Sequence, residues 1–431
     1  MKKVLISFVF LVIASFVMQA QTISVDDAVA IALKNNYSIL ISRASADIDK
    51  ANNTAGNAGM LPSIGVNGSD YYAINNVAQD QSNGVHINSA NATSNTFNVG
   101  VALGWTLFDG GKMFVTRKKL NEIEALGNIQ FKDQVMQTLF NVIVAYYNIV
   151  KQKQQLASYN EVINYNEERV KILQASFNAG LSAKTDLLQA RIDLNVNLEL
   201  AVDQQTLIIS VKRILNQMMG READTPFEVA DSIQLNYKPD PAELNKKLFI
   251  NNPTILSTTK EVEIASLGVK EIKALRLPEV NLSAGYNFLN SNSSISSVTS
   301  NRSYGPQIGG TITIPIFEGG NINRQVRVAK LELQSTGYNL ESTKLDINTQ
   351  LQNALTEFEN QQKMLVIEKE NSALVKENLD ICMHRLRLGQ TTSLEVHQAQ
   401  ESYEESHTRL INFEYLTKVA ETKLRQLMGA L

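Results

Sequence analysis

The clearest pattern along the chain is an alternation of apolar with small or polar residues. From Phe97 to Leu107 every second residue is apolar, and Asn, Gly, Ala or Thr stand between them. The same alternation runs over 279–288 and over 307–316, and a weaker one starts at Ile64. Because successive side chains of a strand point to opposite faces, this period predicts β-strands with one apolar face.

These strands predict one long hairpin in each half of the chain, at 62–108 and 278–317, with polar tips at about 75–95 and 290–305. A transmembrane strand needs about 9–11 residues of this pattern, although a half-buried strand of a soluble sandwich has the same pattern. The mostly helical remainder of the chain favours the membrane interpretation. Four strands cannot close a membrane barrel, since the smallest bacterial barrels have about eight. We therefore expect two, three or more copies to share one barrel.

After each hairpin the apolar residues recur every seven positions. The first row is unbroken and consists of Val135, Val142, Ile149, Leu156, Ile163, Val170 and Phe177. The second row has a polar exception at Ser372 and otherwise consists of Leu351, Phe358, Leu365, Leu379 and Leu386. A strict seven-residue repeat predicts left-handed supercoiling. The pattern fits a solid coiled coil and the wall of a hollow barrel equally well.

The predicted helices are too long for a globular domain. No proline interrupts the stretch from 112 to 178, and a helix of that length would measure about 100 Å at 1.5 Å per residue. Shorter helices return after Gly180 and after Gly389, and further short helices are predicted at 37–60 and 253–276. A short helix stacked on a returning helix is about as long as one long helix. Each chain is therefore expected to contribute four helical columns of similar length.

The chain contains the same unit twice. Three glycine-containing motifs return 209 positions later: Leu107–Gly111 as Ile316–Gly320, Phe177–Gly180 as Leu386–Gly389, and Leu215–Gly220 as Leu424–Gly429. An earlier landmark, Asn35-Asn36, returns as Asn251-Asn252 after 216 positions, so the length change falls in the first hairpin region. The predicted parts are a signal peptide, a first repeat, a linker or equatorial segment and a second repeat, at 1–20, 21–220, 221–241 and 242–431.

Composition narrows the function classes. The chain has 431 residues with 40 Lys and Arg against 43 Asp and Glu, so no basic excess suggests a nucleic-acid partner. The N-terminus carries Lys2 and Lys3 and then an apolar stretch from Val4 to Val17, which predicts an export signal cleaved after Ala20. The only cysteine is Cys382, which excludes an intrachain disulfide.

Signals of catalysis are absent from the sequence. There is no phosphate-binding loop, zincin motif or nucleophile elbow. His384 and Cys382 are two positions apart and would face different sides of a helix. The sequence therefore predicts a protein that is not an enzyme and has no cofactor and no metal site.

The order and spacing of these motifs resemble the TolC-like outer-membrane efflux protein (outer membrane factor) family. The segment Ser24–Asn36 resembles the opening helix of that family, and the two Phe-acid-Gly-Gly strand exits and two Gly-x5-acid tips are similar to its signature. The resemblance implies a mainly α fold with a small β portion. It implies a long coiled-coil helical barrel (α-barrel) and a shared transmembrane β-barrel that receives four strands from each of three internally duplicated chains.

The function implied by the resemblance is that of a trimeric channel-tunnel. It would be the passive exit duct of a tripartite efflux or type I secretion system, in the outer membrane of a Gram-negative bacterium and extending into the periplasm. The implied partners are two further copies of the chain, outer-membrane lipid, a periplasmic adaptor (membrane fusion) protein and an inner-membrane RND or ABC transporter. The residues leave two alternatives open, a periplasmic coiled-coil adaptor and a structural envelope protein without a pore.

The resemblance also implies functional residues at the helical tips. Gly180 and Gly389 would form the turns of the periplasmic entrance and contact the adaptor. Acidic side chains after the second tip ring the closed entrance in this family, which makes Glu395 the candidate here. Its counterpart after the first tip is Asp186, and the family's second acidic position corresponds to Gln398.

A role in helix capping explains the same acids without any gate. Thr392 and Glu395 have the spacing of a capping box, and an acid in the first turn is favoured by the helix dipole. This sequence also departs from the family pattern, because the tyrosine and arginine of the family's closing network fall on Leu386 and Thr391. We therefore expect other contacts to hold a closed state.

Aromatic residues near the predicted strand ends are candidates for the girdles that flank the apolar band of membrane barrels. Ordinary packing explains each of them almost as well. The candidates are Tyr71, Tyr72, Trp105, Phe108, Tyr286 and Phe317.

Overall fold

The computed structural model describes residues 22–82, 84–296 and 298–431, so the predicted signal peptide at 1–20 lies outside the described residues. Over these ranges the chain is mainly helical with four strands, as predicted. The elements follow in the order α1 (Val25–Asn35), α2 (Tyr37–Asn52), β1 (Ser63–Asp80), β2 (His86–Asp109), α3 (Lys112–Asn178), α4 (Lys184–Met218), α5 (Pro241–Asn251), α6 (Pro253–Ala274), β3 (Glu279–Ser293), β4 (Ser300–Thr313), α7 (Asn321–Arg387) and α8 (Ser393–Leu427).

The helix bounds reproduce the duplication seen in the sequence. Helices α3 and α7 each have 67 residues, and α4 and α8 each have 35. The start and the end of α7 and of α8 lie 209 positions after those of α3 and α4. A helix of 67 residues is about 100 Å long, which confirms the predicted long helical hairpins. No helix among residues 22–82, 84–296 and 298–431 is both long enough and apolar enough to cross a membrane.

The chain divides into two compact units, and each unit contains segments of both repeats. The first unit comprises the described residues of 22–44, 130–256 and 343–431, which include the tips of both helical hairpins. Its apolar side chains form three buried clusters. The cluster nearest the tips draws on α3, α4, α7 and α8 together, so the four helices share one interior there.

The repeated Asn motif joins the start of one helix to the end of another. The Asn36 side-chain amide donates to the Met218 carbonyl at 2.7 Å, while its Oδ1 accepts from the first N–H groups of α2. Asn252 repeats both roles, with the Leu427 carbonyl at 2.9 Å. One side chain thereby satisfies unpaired backbone groups at two helix ends. This explains why the motif occurs once in each repeat.

The segment between the repeats is partly packed into the first unit. Phe227, Val229 and Ile233 are buried in the cluster formed with α1, α3 and α4. The segment pairs with the chain ahead of α1 through a parallel bridge between Thr22 and Glu228. It ends at Asp240, whose carboxylate accepts from the Ala242 N–H at 2.9 Å and caps α5.

The second unit comprises the described residues of 45–129 and 257–342 and contains an antiparallel sheet in the order β1-β2-β3-β4. Both predicted hairpins are present. The two hairpins are joined by pairing of β2 with β3, in which Val101 lies opposite Tyr286 and Leu103 opposite Ala284.

The outer bounds of the first hairpin agree with the prediction, but the predicted polar tips of both hairpins and the predicted end of the second hairpin were wrong. Much of 75–95 and 290–305 is strand rather than polar loop. Strand β1 ends only at Asp80 and β2 begins at His86; β3 ends at Ser293 and β4 begins at Ser300. Polar residues on both faces hide the alternation there, although their backbones still pair. At the other end β4 stops at Thr313, two residues before Pro315, whose nitrogen has no hydrogen to donate to a neighbouring strand.

Candidate functional site at the helical tips and the sheet

The two tip turns have the same backbone geometry. Gly180 has a φ of 75°, and the Leu181 N–H donates to the Ser176 carbonyl at 2.8 Å. Gly389 has a φ of 68°, and the Gln390 N–H donates to the Arg385 carbonyl at 2.9 Å. These are Schellman helix ends, which need a residue in the left-handed region. An added Cβ would meet nothing within 4 Å at either glycine, so backbone conformation and not space requires glycine there.

Glu395 lies in the first turn of α8 with its backbone capped by Thr392. The Glu395 N–H donates to the Thr392 hydroxyl oxygen at 3.2 Å. The Glu395 carboxylate accepts from the Thr391 hydroxyl and lies 4.0 Å from Arg385 Nη1. Its side chain remains about half exposed, at 52 %. Capping therefore uses the backbone of Glu395, while its half-exposed carboxylate contacts Thr391 and Arg385 at the tip surface.

The other candidates near the tips have different surroundings. Asp186 is in the first turn of α4, which begins without a side-chain cap because Ala183 precedes it. Gln398 is exposed on α8. Leu386 is buried in the apolar cluster nearest the tips, at one of the two positions of the family's closing network, and contributes packing instead of a polar contact.

A buried arginine joins the two helical hairpins just behind the tips. The Arg169 side chain on α3 is only 1 % exposed, and its Nη1 donates to Asp193 on α4 at 2.9 Å. Across to α8, the guanidinium donates to Gln400 Oε1 at 3.0 Å and to the Ser393 hydroxyl oxygen at 3.0 Å. Burial lowers the pKa of Arg169, and the neighbouring Asp193 opposes that effect. Sequence reasoning missed this residue.

Polar contacts also connect α3 directly to α7. The Tyr165 hydroxyl donates to Asp380 at 2.9 Å, and Glu168 pairs with Arg387 one helical turn closer to the tip. Burial and the Asp380 carboxylate raise the pKa of Tyr165 to about 12. These pairs join the first hairpin to the second.

Further from the tips, His407 on α8 is partly buried, with Glu161 on α3 and Lys376 on α7 near it. Its ring stacks on Tyr403 with a centroid distance of 5.6 Å, and its Nδ1 is buried without a hydrogen-bond partner. The Tyr403 hydroxyl donates to Glu161 at 2.7 Å, and Glu161 pairs with Lys376 at 2.8 Å. Burial lowers the pKa of His407, the Glu161 carboxylate acts in the opposite direction and Lys376 adds to the lowering.

The sheet of the second unit has one mainly apolar face and one polar face. The mainly apolar face also carries Asp70 and Arg302, in the row that crosses Phe97 and Asn290. Residues directly opposite each other on paired strands share a face, and faces alternate along each strand. One row across the four strands consists of Val66, Val101, Tyr286 and Pro306, and the next row, on the other face, of Asn67, Gly100, Asn287 and Gly305. The polar face carries no charged side chain within 63–75, 94–106, 281–291 and 301–311.

The register assigns the aromatic candidates to different places. Tyr72, Trp105, Phe108 and Tyr286 lie on the apolar face. Tyr71 is opposite Thr96 and therefore lies on the polar face. Phe317 follows the end of β4 and is not part of the sheet. The sheet thus brings four of the six residues onto its mainly apolar face.

Within residues 22–82, 84–296 and 298–431, no three His, Cys, Asp or Glu side chains come together as a group that could hold a metal ion.

Comparison with known proteins agrees with this architecture. A family model described as outer membrane efflux protein matches residues 28–221 and 244–430. The outer membrane efflux protein BepC of Brucella suis biovar 1 (strain 1330) is 23 % identical over 339 residues, which cover 78 % of this chain and 72 % of BepC. The outer membrane protein TolC of Escherichia coli (strain K12) is 21 % identical over 394 residues, which cover 86 % of this chain and 75 % of TolC.

The fold is also that of a solved outer membrane channel. The crystal structure of the Campylobacter jejuni CmeC outer membrane channel superimposes with a TM-score of 0.79 at 17 % identity, covering 94 % of this chain and 85 % of CmeC. The paired helical hairpins and the two-faced sheet therefore have the fold of an outer membrane channel. The chain belongs to the outer membrane efflux protein family. This confirms the predicted family, fold class and outer-membrane location.

Proposed function

We propose that three copies of the chain form a channel-tunnel through the outer membrane, which serves as the passive exit duct of a tripartite efflux or type I secretion system. The observation that supports this most strongly is the four-stranded sheet. Within the described residues it ends at β1 on one side and at β4 on the other, with one mainly apolar and one polar face. An open sheet edge in lipid leaves backbone N–H and C=O groups unpaired, each at a cost of several kcal/mol.

Pairing of β4 of one copy with β1 of the next removes both edges. Three copies then contribute 12 strands, which is enough to close a barrel with an aqueous interior. The apolar rows face lipid and the polar rows face the pore. Over 63–75, 94–106, 281–291 and 301–311 the polar face consists mostly of the small residues Gly, Ser, Asn, Thr and Ala and carries no charged side chain. Where β2 leads into α3, Glu279 lies opposite Asp109 on the same face and adds negative charge.

The helical tips are proposed as the surface that meets a periplasmic adaptor, which in turn connects an inner-membrane RND or ABC transporter. Leu181 directly follows Gly180 and is 82 % exposed, and Leu388 directly precedes Gly389 and is 67 % exposed. Exposed leucines at a turn suit contact with another apolar helical tip. Glu395 and Asp186 stand six positions after the tip glycines and are proposed to line the entrance.

The duct is tested with protein extracted from outer membranes in mild detergent. We expect a particle of three chains, which migrates as a trimer on a gel when unheated and as a monomer after boiling. The same sample should insert into planar bilayers and give single-channel conductance steps. A water-soluble monomer without affinity for bilayers would contradict the proposal and favour an adaptor or a structural envelope protein.

The partner proposal is tested by photo-crosslinking in the native cell. A photoreactive amino acid replaces Leu181 or Leu388 at the tips, and an exposed α7 residue far from the tips, Lys363, serves as the matched control position. We expect the tip positions alone to give adducts with a periplasmic adaptor subunit, identified by mass spectrometry. Adducts at Lys363 and none at the tips would reject the tips as the contact.

A further inference from the structure

A histidine stands between two carboxylates where the two helical hairpins meet behind the tips. The His397 ring is on α8, and its Nδ1 lies 3.2 Å from Asp193 Oδ2 on α4. Its Nε2 lies 3.4 Å from Glu401 Oε1, one turn further along α8. The His397 side chain is 29 % exposed, so water reaches the ring. The contact with Asp193 therefore joins the first hairpin to the second through a group that can gain or lose a proton.

Both neighbours of this ring are acceptors. An ionised carboxylate has no hydrogen to donate, and a neutral imidazole carries a hydrogen on only one of its two nitrogens. In the neutral form, one ring nitrogen of His397 therefore turns a lone pair towards a carboxylate, either at Asp193 or at Glu401. In the imidazolium form both nitrogens carry a hydrogen, and each faces an acceptor. The two contacts are satisfied together only when the ring is protonated.

The other charged groups near His397 come from α3, α4 and α8. Arg169 on α3 lies 2.9 Å from the same oxygen of Asp193, and Asp186 on α4 acts electrostatically on Arg169. On α8, Glu404 lines the same cavity as His397. Burial raises the pKa of Glu404, and neighbouring acids of α8 add to that effect. Protonation of His397 therefore adds a second positive charge beside Asp193, among further carboxyl groups.

A polar cavity of about 150 Å³ gives water access to this contact. It is lined by Asn166 on α3 and Asn197 on α4 together with Asp193, His397 and Glu401. Asn166 and Asn197 are 2 % and 7 % exposed, and the Oδ1 atom of each is buried without a hydrogen-bond partner among the described residues. Such a volume admits several water molecules, since each takes roughly 30 Å³. The junction of the two hairpins is thus polar here, and the contact can form or separate without leaving a charge in an apolar core.

We propose that protonation of His397 draws α8 towards α4 at Asp193 and so holds the helical tips together, which narrows the entrance of the duct on acidification. The neutral ring has a hydrogen for one carboxylate only, whereas the imidazolium has one for each. His397 is eight positions after Gly389, or about 12 Å along the helix, so a change in its contact with α4 moves the tip. Histidines as a class change charge between about pH 5 and pH 8. The inference rests on the proposed duct and adds a proton-dependent control of its entrance.

Single-channel conductance of the purified protein in phosphatidylcholine bilayers, recorded at pH 7.5 and at pH 5.5, tests this control. We expect the conductance of the native chain to fall at least about twofold on acidification, because a histidine passes from mostly neutral to mostly charged over this range. His397→Gln cannot gain a charge and should show less than about half of that fall. His397→Arg is charged at both pH values and should give at pH 7.5 the low conductance of the native chain at pH 5.5. His384→Gln, at an exposed position of α7, is the control and should retain the native ratio.

A second variant, Glu401→Gln, changes a side chain that is 62 % exposed and therefore leaves folding intact. Its amide can donate to Nε2 of a neutral ring, so the contact with Asp193 no longer needs a proton and the fall on acidification should shrink. If His397→Gln does not assemble, Glu401→Gln decides in the same way.

Equal falls in the native chain, His397→Gln and Glu401→Gln would overturn the role of His397, as would a native conductance that stays constant or rises on acidification. In those cases the conductance steps themselves remain, so the proposed duct stands. A native chain that gives no conductance steps at either pH overturns the duct and the control of its entrance together.

Discussion

Arg169 Nη1 lies 2.9 Å from the Asp193 carboxylate, in a position where the arginine side chain is only 1 % exposed. The same guanidinium donates to Gln400 and Ser393 on the other hairpin. A buried charge is tolerated only when it is paired and hydrogen-bonded. The buried charges therefore keep their partners only while α3, α4 and α8 stay aligned.

Replacement of Arg169 with Met is expected to destabilise the tip region by up to about 3–5 kcal/mol, because the largely buried Asp193 would lose its arginine and keep only His397 and Gln189 as polar neighbours. Hydrogen exchange of the tip-proximal parts of α3 and α8 measures the loss locally. The matched control is Arg385→Met, since Arg385 is 49 % exposed and lies 4.0 Å from Glu395, and exposed pairs contribute about 0–1 kcal/mol. Equal effects of the two substitutions would show that the buried pair has no special role.

The long helices were predictable because their signals are local. The seven-residue rows specify the helices, and Gly180 and Gly389 specify where they turn, so the predicted stretch of 112–178 matches the observed α3. The strand ends were not predictable in the same way. Between Asn75 and Asn95 polar residues occur on both faces, so no alternation marks strands that are stabilised by backbone pairing.

The arginine at the tips was not predictable from the pattern either. Arg169 precedes the seam residue Val170, and a charged residue beside a seam normally faces water. Its burial depends on α4 and α8 both approaching α3 at that height, which brings Asp193 and Gln400 to it. These partners are 24 and 231 positions away in the chain. Contacts of that separation have no signature in a single sequence.

Substitution of either tip glycine by alanine should strain its turn. A left-handed conformation costs an L-residue roughly 1–2 kcal/mol, and Gly180 and Gly389 have φ values of 75° and 68°. Asparagine should cost less, since it tolerates this region. We expect a lower thermal midpoint for Gly180→Ala than for Gly180→Asn in detergent-solubilised protein.

The control for the glycine series is Gly337→Ala. Gly337 lies inside α7, where an added Cβ meets nothing within 4 Å and φ is not positive, so alanine should stabilise the helix by roughly 0.5–1 kcal/mol. A result in which the tip and the helix-interior substitutions shift the midpoint in the same direction would reject the argument.

Acidification is expected to weaken the packing around His407. Burial lowers the pKa of this imidazole in the folded chain. The Glu161 carboxylate opposes this lowering, and Lys376 adds to it. The pKa of a histidine in the unfolded chain is about 6.5. The unfolded state therefore takes up the proton more readily. The contribution to stability is present above about pH 6.5 and is lost as the pH falls through the lower folded value.

Thermal midpoints measured between about pH 7.5 and pH 5 test this dependence. His407→Phe retains an aromatic ring against Tyr403 but cannot be protonated, so its midpoint should fall less on acidification than that of the native chain. His384→Gln, at an exposed position of α7, should retain the native slope. An unchanged slope in His407→Phe would assign the acid sensitivity to other groups.

Neighbouring positions on β2 should respond oppositely to a charge. Val101 is on the apolar face and Ala102 on the polar face of the same strand. Val101→Asp is expected to reduce the yield of outer-membrane trimer, because a carboxylate facing lipid is costly. Ala102→Asp should still assemble and should shift the reversal potential in a salt gradient towards cations, since it adds negative charge to a stretch of the polar face that has no charged side chain. The reverse outcome would exchange the faces assigned to lipid and pore.

Glu395 offers a way to separate capping from a role at the entrance, because its backbone and its carboxylate have different partners. The Glu395 N–H donates to Thr392 at 3.2 Å, and this bond survives in Glu395→Gln. If three carboxylates ring the entrance of the trimer, Glu395→Gln should lower cation selectivity in single-channel recordings while the thermal midpoint changes little. Thr392→Ala should lower stability by about 0.5–2 kcal/mol and leave selectivity unchanged. A Glu395→Gln channel with native selectivity and lowered stability would restrict this residue to the helix end.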